Sequence, residues 1–481
     1  MRVLPVAALV GLSGCAQLFG IDETSGPKDT SATLQLSRKS VGATLTSNPL
    51  DVTSLSATFY TTDGTGALVA TPGTQSAVDT WSADVTGDPA IEFTLPDLPN
   101  AYQHLWSLPS RAVRGHFIAY EHPAAQPAPS ATTEMISLTL PTPYQAASET
   151  FDVGVIGAWS HHVLSGSELP LDQATQIAAS VPYSSFVPVT ASPVTRITSS
   201  DVVVVMRHSA NTLTGVYTTS FDQSDTMDTI SGMLAEVALD KTFSATIDPT
   251  TFASRFSTVR PGVSGLALGW SISAAPGYTV GAVVGPLLRA GSAAMADTMI
   301  SSSYGNPFEM RGWRAVLAFS ASAGRTYTAS GASIGLGAQI ETVVDPSAAS
   351  ALELPAPLAE LISIDSTQLN MDGLAVTLDV TAPHAVTAIT ETSPAASLYM
   401  LDVVELVTVG TMMERKEILN AVSTTATFSL PPGVLQTGHT YVLNVGAMSG
   451  GYPNASSGDL DTVTLPYTFS SVDSGAFQVM P

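Results

Sequence analysis

The chain has 481 residues, 44% hydrophobic and only 12% charged, and 40 acidic residues against 17 basic ones give a net charge of −23. Such a length exceeds one hydrophobic core and predicts two to four domains. Charge of that sign, with no Lys/Arg cluster, repels phosphate backbones and excludes nucleic acid as a partner, and a single cysteine, Cys15, excludes an intramolecular disulfide.

The first segment, MRVLPVAALVGLSGC, places Arg2 before an apolar run over 3–12 and two small residues, Ser13 and Gly14, before Cys15. That is the layout of a secretory signal and its cleavage site. Leu12-Ser13-Gly14-Cys15 resembles the lipobox of bacterial lipoproteins. The resemblance implies removal of 1–14 and lipidation of Cys15 with acyl chains such as palmitate. Ala16, standing where an aspartate would retain the protein, implies sorting to the outer membrane. Each buried CH₂ of such a lipid contributes about 0.8 kcal/mol of membrane affinity, so the membrane is an expected partner through Cys15.

Residues 15–30 read as a polar tether. Beyond it, period-two alternation predicts half-buried antiparallel strands along the whole chain. It is seen at Ile91, Phe93 and Leu95; at Leu266, Leu268, Trp270 and Ile272; at Ile334, Leu336, Ala338 and Ile340; at Leu374, Val376, Leu378 and Val380; and at Tyr441, Leu443, Val445 and Ala447. Turn signals such as Asp63-Gly64, Asp372-Gly373 and Pro432-Gly433 punctuate these runs. The fold class expected is all-β, with tandem antiparallel β-sandwich domains. A first sandwich is expected over 31–143, a central β-rich region over 147–345 as one large or two fused sandwiches, and a last domain over 357–481. Helical turns are expected only over 227–239, where Ile230, Met233, Leu234 and Val237 share a face, and near 354–362. The uncharged span 261–288 holds too many Pro and Gly for a membrane helix and reads as two strands.

In the last domain, SLYMLDVVEL and TFSLPPGVLQTGHTYVLNVGA resemble a fibronectin type III domain, one kind of immunoglobulin-like β-sandwich. The resemblance implies that Tyr441 closes a corner by hydrogen-bonding nearby backbone through its hydroxyl. The tryptophan of that family's early strand is absent.

Candidate chemistry is sparse. Gly331-Ala332-Ser333-Ile334-Gly335 matches the G-x-S-x-G of hydrolases, but it sits within a strand pattern, with no turn to expose Ser333 and no helix to follow. The eight histidines form no ligand pair at helical spacing, and His161 and His162 are adjacent, so they point to opposite strand faces. Asp222, Asp225 and Asp228 are weak candidates for calcium, but the segment suits a helix N-terminus capped by Asp225 or Asp228 better. Trp81 and Trp106, in polar or loop-like settings, are the candidate ligand contacts. No catalytic residue, metal or cofactor is expected. The functional expectation is a non-catalytic, lipid-anchored envelope protein serving as a structural or interaction module for envelope proteins or polysaccharide. The alternative is a hydrolase of polysaccharide or cell-wall material with a site in the central region.

Overall fold

The computed structural model describes residues 30–481 apart from 42–44, 65–66, 96–101, 120–125, 130–131, 158–159, 189–193, 261, 277–285, 293–298, 350–356, 392–394 and 411. Cys15, the signal and nearly all of the tether lie outside the described residues, as do His122 and Trp159.

The fold is all-β, built of packed, mainly antiparallel sheets. The strands that build the site are β1 (Gln103–Ser107), β2 (Ser264–Pro276), β3 (Trp313–Ala329), β4 (Ala332–Val344), β5 (Leu398–Val409), β6 (Met412–Ser423), β7 (Thr440–Gly450) and β8 (Tyr467–Asp473). They pair in the order β1-β6-β5-β7-β8-β4-β3-β2, with β1 parallel to β6 and every other pair antiparallel. One sheet therefore takes strands from all three expected segments. Alternation sorts its two faces. Leu401 and Val403 of β5, Leu443 and Val445 of β7 and Leu419 of β6 enter the largest core. Leu398, Val422 and Met448, on the opposite face, pack with Trp81, Phe93 and Trp106 of the first segment. A third core runs from Ile136 to Leu234. The strand Thr133–Thr139 belongs to that core and pairs with Gln176–Pro182 and Met227–Met233.

Two sequence expectations are corrected. Residues 227–233 form a strand, parallel to Thr133–Thr139. Ladder bonds and burial of Ile230 outweigh a helical pattern that Ser231 and Gly232 already weaken. Near 354–362, Ala359–Ile364 is likewise a strand, and 354–356 lie outside the described residues. Among the described residues an α-helix forms over Pro249–Val259 (α1) and carries its own signals. Asp248 caps it, accepting from the backbone N–H of Thr250 at 3.0 Å and of Thr251 at 3.2 Å, and Pro249 opens the first turn. Phe252, Phe256 and Val259, at i, i+4 and i+7, face the main core. Each such burial contributes about 1.5–3 kcal/mol. Arg260, just past α1 and buried, donates through Nε to the Asp473 carbonyl at 2.7 Å and anchors the end of β8.

The expected corner at Tyr441 is present. The buried Tyr441 hydroxyl accepts from the Gln436 backbone N–H at 3.0 Å. Among the described residues no helix is long and apolar enough to cross a membrane.

Candidate functional site

A polar row crosses one face of the sheet at right angles to its strands. His104 of β1 is opposite Asn420 of β6, Asn420 is opposite Asp402 of β5, and Asp402 is opposite Asn444 of β7. Asn444 is opposite Asp473 of β8, Asp473 accepts from the Gly337 N–H of β4, and Gly337 is opposite Gly324 of β3. A second row runs beside it through Ser471, Gln339 and Ser322. The glycines remove side chains where the row reaches β3 and β4, leaving a cleft of about 470 Å³ over Gly324, Gly335 and Gly337. A Cβ at Gly335 would have no neighbour within 4 Å, so the cleft is open above it.

One β-bulge assembles the charged wall. Val403 faces Leu419 and Val404 faces Glu417, so Ile418 is an extra residue in β6. Without it, strict alternation would put Ile418 and Lys416 on the Asn420 face. With it, Glu417 and Arg415 turn to that face, Ile418 packs on the main core, and Lys416 lies 3.6 Å from Glu405 on the other side. Arg415 then makes a two-pronged ion pair with Asp473, at 2.8 and 3.0 Å. Asp473 also accepts from Asn444 Nδ2 at 2.9 Å and from the Gly337 N–H at 2.9 Å, so four donors hold one buried carboxylate.

Asp402 accepts from Asn420 Nδ2 at 2.7 Å and is in hydrogen-bond contact with Glu417. Burial, reinforced by Asp402, pushes the Glu417 carboxyl up to about 7, and burial raises Asp402 as well. Two carboxyls in contact cannot both ionise cheaply, and this repulsion adds to burial in favouring the protonated form. Asp473 is balanced by Arg415. The rest of the cleft offers neutral amides and hydroxyls from Asn444, Gln339, Ser322 and Ser471.

The residues singled out from the sequence lie elsewhere, with one exception. Trp81 is buried in the strand Thr80–Asp84, where alternation turns it and Ala83 inward. Trp106 is buried as well, beside Phe93 and Phe117, but it lines a second, smaller cavity at the His104 end of the row. Neither is an exposed sugar platform, because both sit at inward strand positions. The three aspartates do not converge. Asp222 accepts from the Ser199 N–H at 2.7 Å, Asp225 pairs with Arg196, and Asp228 accepts from the Ser224 N–H at 2.8 Å. No helix follows them to be capped. Among the described residues no group of three His, Cys, Asp or Glu stands close enough to hold a metal. Ser333 lies in β4 just after a hairpin turn and shares a hydrogen bond with Thr328 Oγ1 at 2.8 Å. His162 is bound to Glu168 at 2.9 Å, and His161 takes no part in that pair.

No protein-family model and no curated protein matches the chain. Among solved structures it is similar to a crystal structure of a Salmonella alpha-2-macroglobulin mutant, at 11% identity and a TM-score of 0.14, over 87% of this chain and 27% of that one. It is also similar to a tetra-tandem repeat in the extending region of a large adhesion protein, at 12% identity and a TM-score of 0.11, over 93% of this chain and all of that one. The chain thus spans about a quarter of the macroglobulin's length, and at these TM-scores neither likeness bears on the site.

Proposed function

We propose that the chain is a lipid-anchored envelope protein, held at the outer membrane through Cys15, whose immunoglobulin-like sheets present the transverse cleft as a binding face for surface polysaccharide. The observation that carries the binding reading is the cleft itself: a glycine floor beside neutral amides and hydroxyls, in reach of an ion pair that is already balanced. Such a lining suits a hydroxyl-rich, uncharged ligand, whose many donors and acceptors find partners there. Anchoring rests on LSGC and is tested by Cys15→Ser. The variant is expected to leave the membrane fraction and lose fatty-acid labelling, and labelling that persists would overturn the anchor.

A second reading, a polysaccharide hydrolase, draws on the Asp402–Glu417 pair, in which burial pushes the Glu417 carboxyl up to about 7. The geometry disfavours it. Inverting and retaining glycosidases need carboxyls roughly 5–9.5 Å apart, whereas Asp402 and Glu417 are in contact. Asp473, two strands away, has its oxygens committed to Arg415, Asn444 and Gly337. The cleft therefore reads as a place that holds a ligand.

A further inference from the structure

Two arginines from different elements grip consecutive backbone carbonyls at the end of β8. Arg260, just past α1, donates through Nε to the Asp473 carbonyl at 2.7 Å, and Arg325 of β3 donates through Nη2 to the Ser474 carbonyl at 3.2 Å. Arg325 has a full counter-charge, since its Nε and Nη2 fork onto the Asp372 carboxylate at 3.1 and 2.7 Å. Arg260 has none. It is buried, at 3% relative exposure, and its other bond runs from Nη1 to the Val259 carbonyl at 3.1 Å, so among the described residues it meets two carbonyls and no carboxylate.

The acids nearby are committed elsewhere. Asp372 holds Arg325 and the Ala476 N–H, while the Asp473 carboxylate holds Arg415, Asn444 Nδ2 and the Gly337 N–H. Burial and the like charge of Arg325 push the Arg260 pKa down to about 10, and at neutral pH the guanidinium keeps its charge. Carbonyls at the C-terminus of α1 supply only partial negative charge. A buried charge without a full counter-charge is costly.

The unmet donors say what would answer it. Arg260 Nη2 and Arg325 Nη1 are both closed to solvent, and neither has a hydrogen-bond partner. A guanidinium donates and never accepts, so the occupant of such a place accepts from both arginines, is small, and brings negative charge. A sugar hydroxyl or a water would satisfy the donors and leave the charge unanswered. We propose that one small monovalent anion of the halide class bridges Arg260 Nη2 and Arg325 Nη1, tying the end of α1 and β3 to the end of β8. The site is independent of the polysaccharide reading of the cleft.

The test follows thermal unfolding of the full chain in sodium chloride and in sodium gluconate at one ionic strength. Chloride is expected to raise the midpoint saturably above its value in gluconate, as a ligand of the folded state does, because gluconate is too large for a place shut from solvent. In Arg325→Gln the half-saturating chloride concentration should rise about ten-fold or more, the worth of a charge-assisted hydrogen bond. Crystals of the wild type grown in sodium bromide should show anomalous scattering from an ion in contact with both nitrogens. A midpoint indifferent to the choice of anion, a half-saturation unchanged in Arg325→Gln, or no bromide at the two nitrogens would each overturn the proposal. Should Arg325→Gln fail to fold, the bromide position decides.

Discussion

Individual carboxyls set how this fold responds to pH. Glu417 holds its proton up to about pH 7 in the folded chain, against an ordinary value of 4.5. Because the folded state binds that proton more tightly than the unfolded one, the stability it contributes is whole below about pH 4.5 and is lost as pH rises through about 7. Glu134 acts in the same direction. It is fully buried, accepts from Gln223 Nε2 at 2.8 Å, and is pushed up to about 7 by burial. Denaturant unfolding at pH 5 and pH 8 should therefore show the wild type losing stability toward pH 8, and Glu417→Gln losing less. An unchanged slope in Glu417→Gln would mean that folding does not raise the Glu417 pKa. Arg415 is the neighbour that limits the cost of this pair, and its bond to Asp473 raises its own pKa.

At the scale of elements, the β3–β4 hairpin shows how local rules place the site. Ala329 faces Ala332, and the two residues between, Ser330 and Gly331, have φ of 53° and 82°, the two-residue turn that matches strand twist. Gly331→Ala should cost about 1 kcal/mol, because a Cβ is strained at positive φ. Gly335→Ala, in ordinary strand conformation with open space at its Cβ, should cost nothing. Equal losses at the two positions in denaturant midpoints would contradict this. The strand was legible in the alternation at Ile334, Leu336, Ala338 and Ile340, whereas the turn at Ser330-Gly331, expected to be absent near Ser333, was not. Tyr441 was legible too, since its corner depends on residues close in sequence. The cleft was not. Asp402, Asn444 and Asp473 stand on strands whose pairing no local pattern states. Glu417 and Arg415 reach the site only through the bulge at Ile418, which shifts the parity that alternation would assign. A faint signal existed, polar residues set between aliphatic ones in SLYMLDVVEL and HTYVLNVGA, on the face opposite the main core. The strand over 227–233 was missed for the same reason: its partner at 133–139 is nearly a hundred residues away.

For the whole molecule, the shared sheet explains why a binding face can be rigid with no disulfide among the described strands. β4 pairs with β8 from Ala338 to Val343, β1 lies along β6, and the largest core draws on residues from Leu105 to Val479. Long-range pairing of this kind fixes side chains on five strands, and two glycines beyond them, in one row, which loops could not do as closely. The row joins two cavities on one face, the glycine-floored cleft and the aromatic pocket, through Asn420 and Asp402. The central claim is that the cleft holds surface polysaccharide without cleaving it. Its most direct test is capture of surface polysaccharide by the full chain, beside Gly335→Trp, whose side chain would fill the open space over the floor without backbone strain. Saturable capture by the wild type, with no sugar released and at least about ten-fold weaker capture by a normally folded Gly335→Trp, is the result predicted, since losing the contacts of a blocked site costs 1.4 kcal/mol or more. Equal capture by both proteins, or release of sugar fragments that Glu417→Gln abolishes, would contradict it.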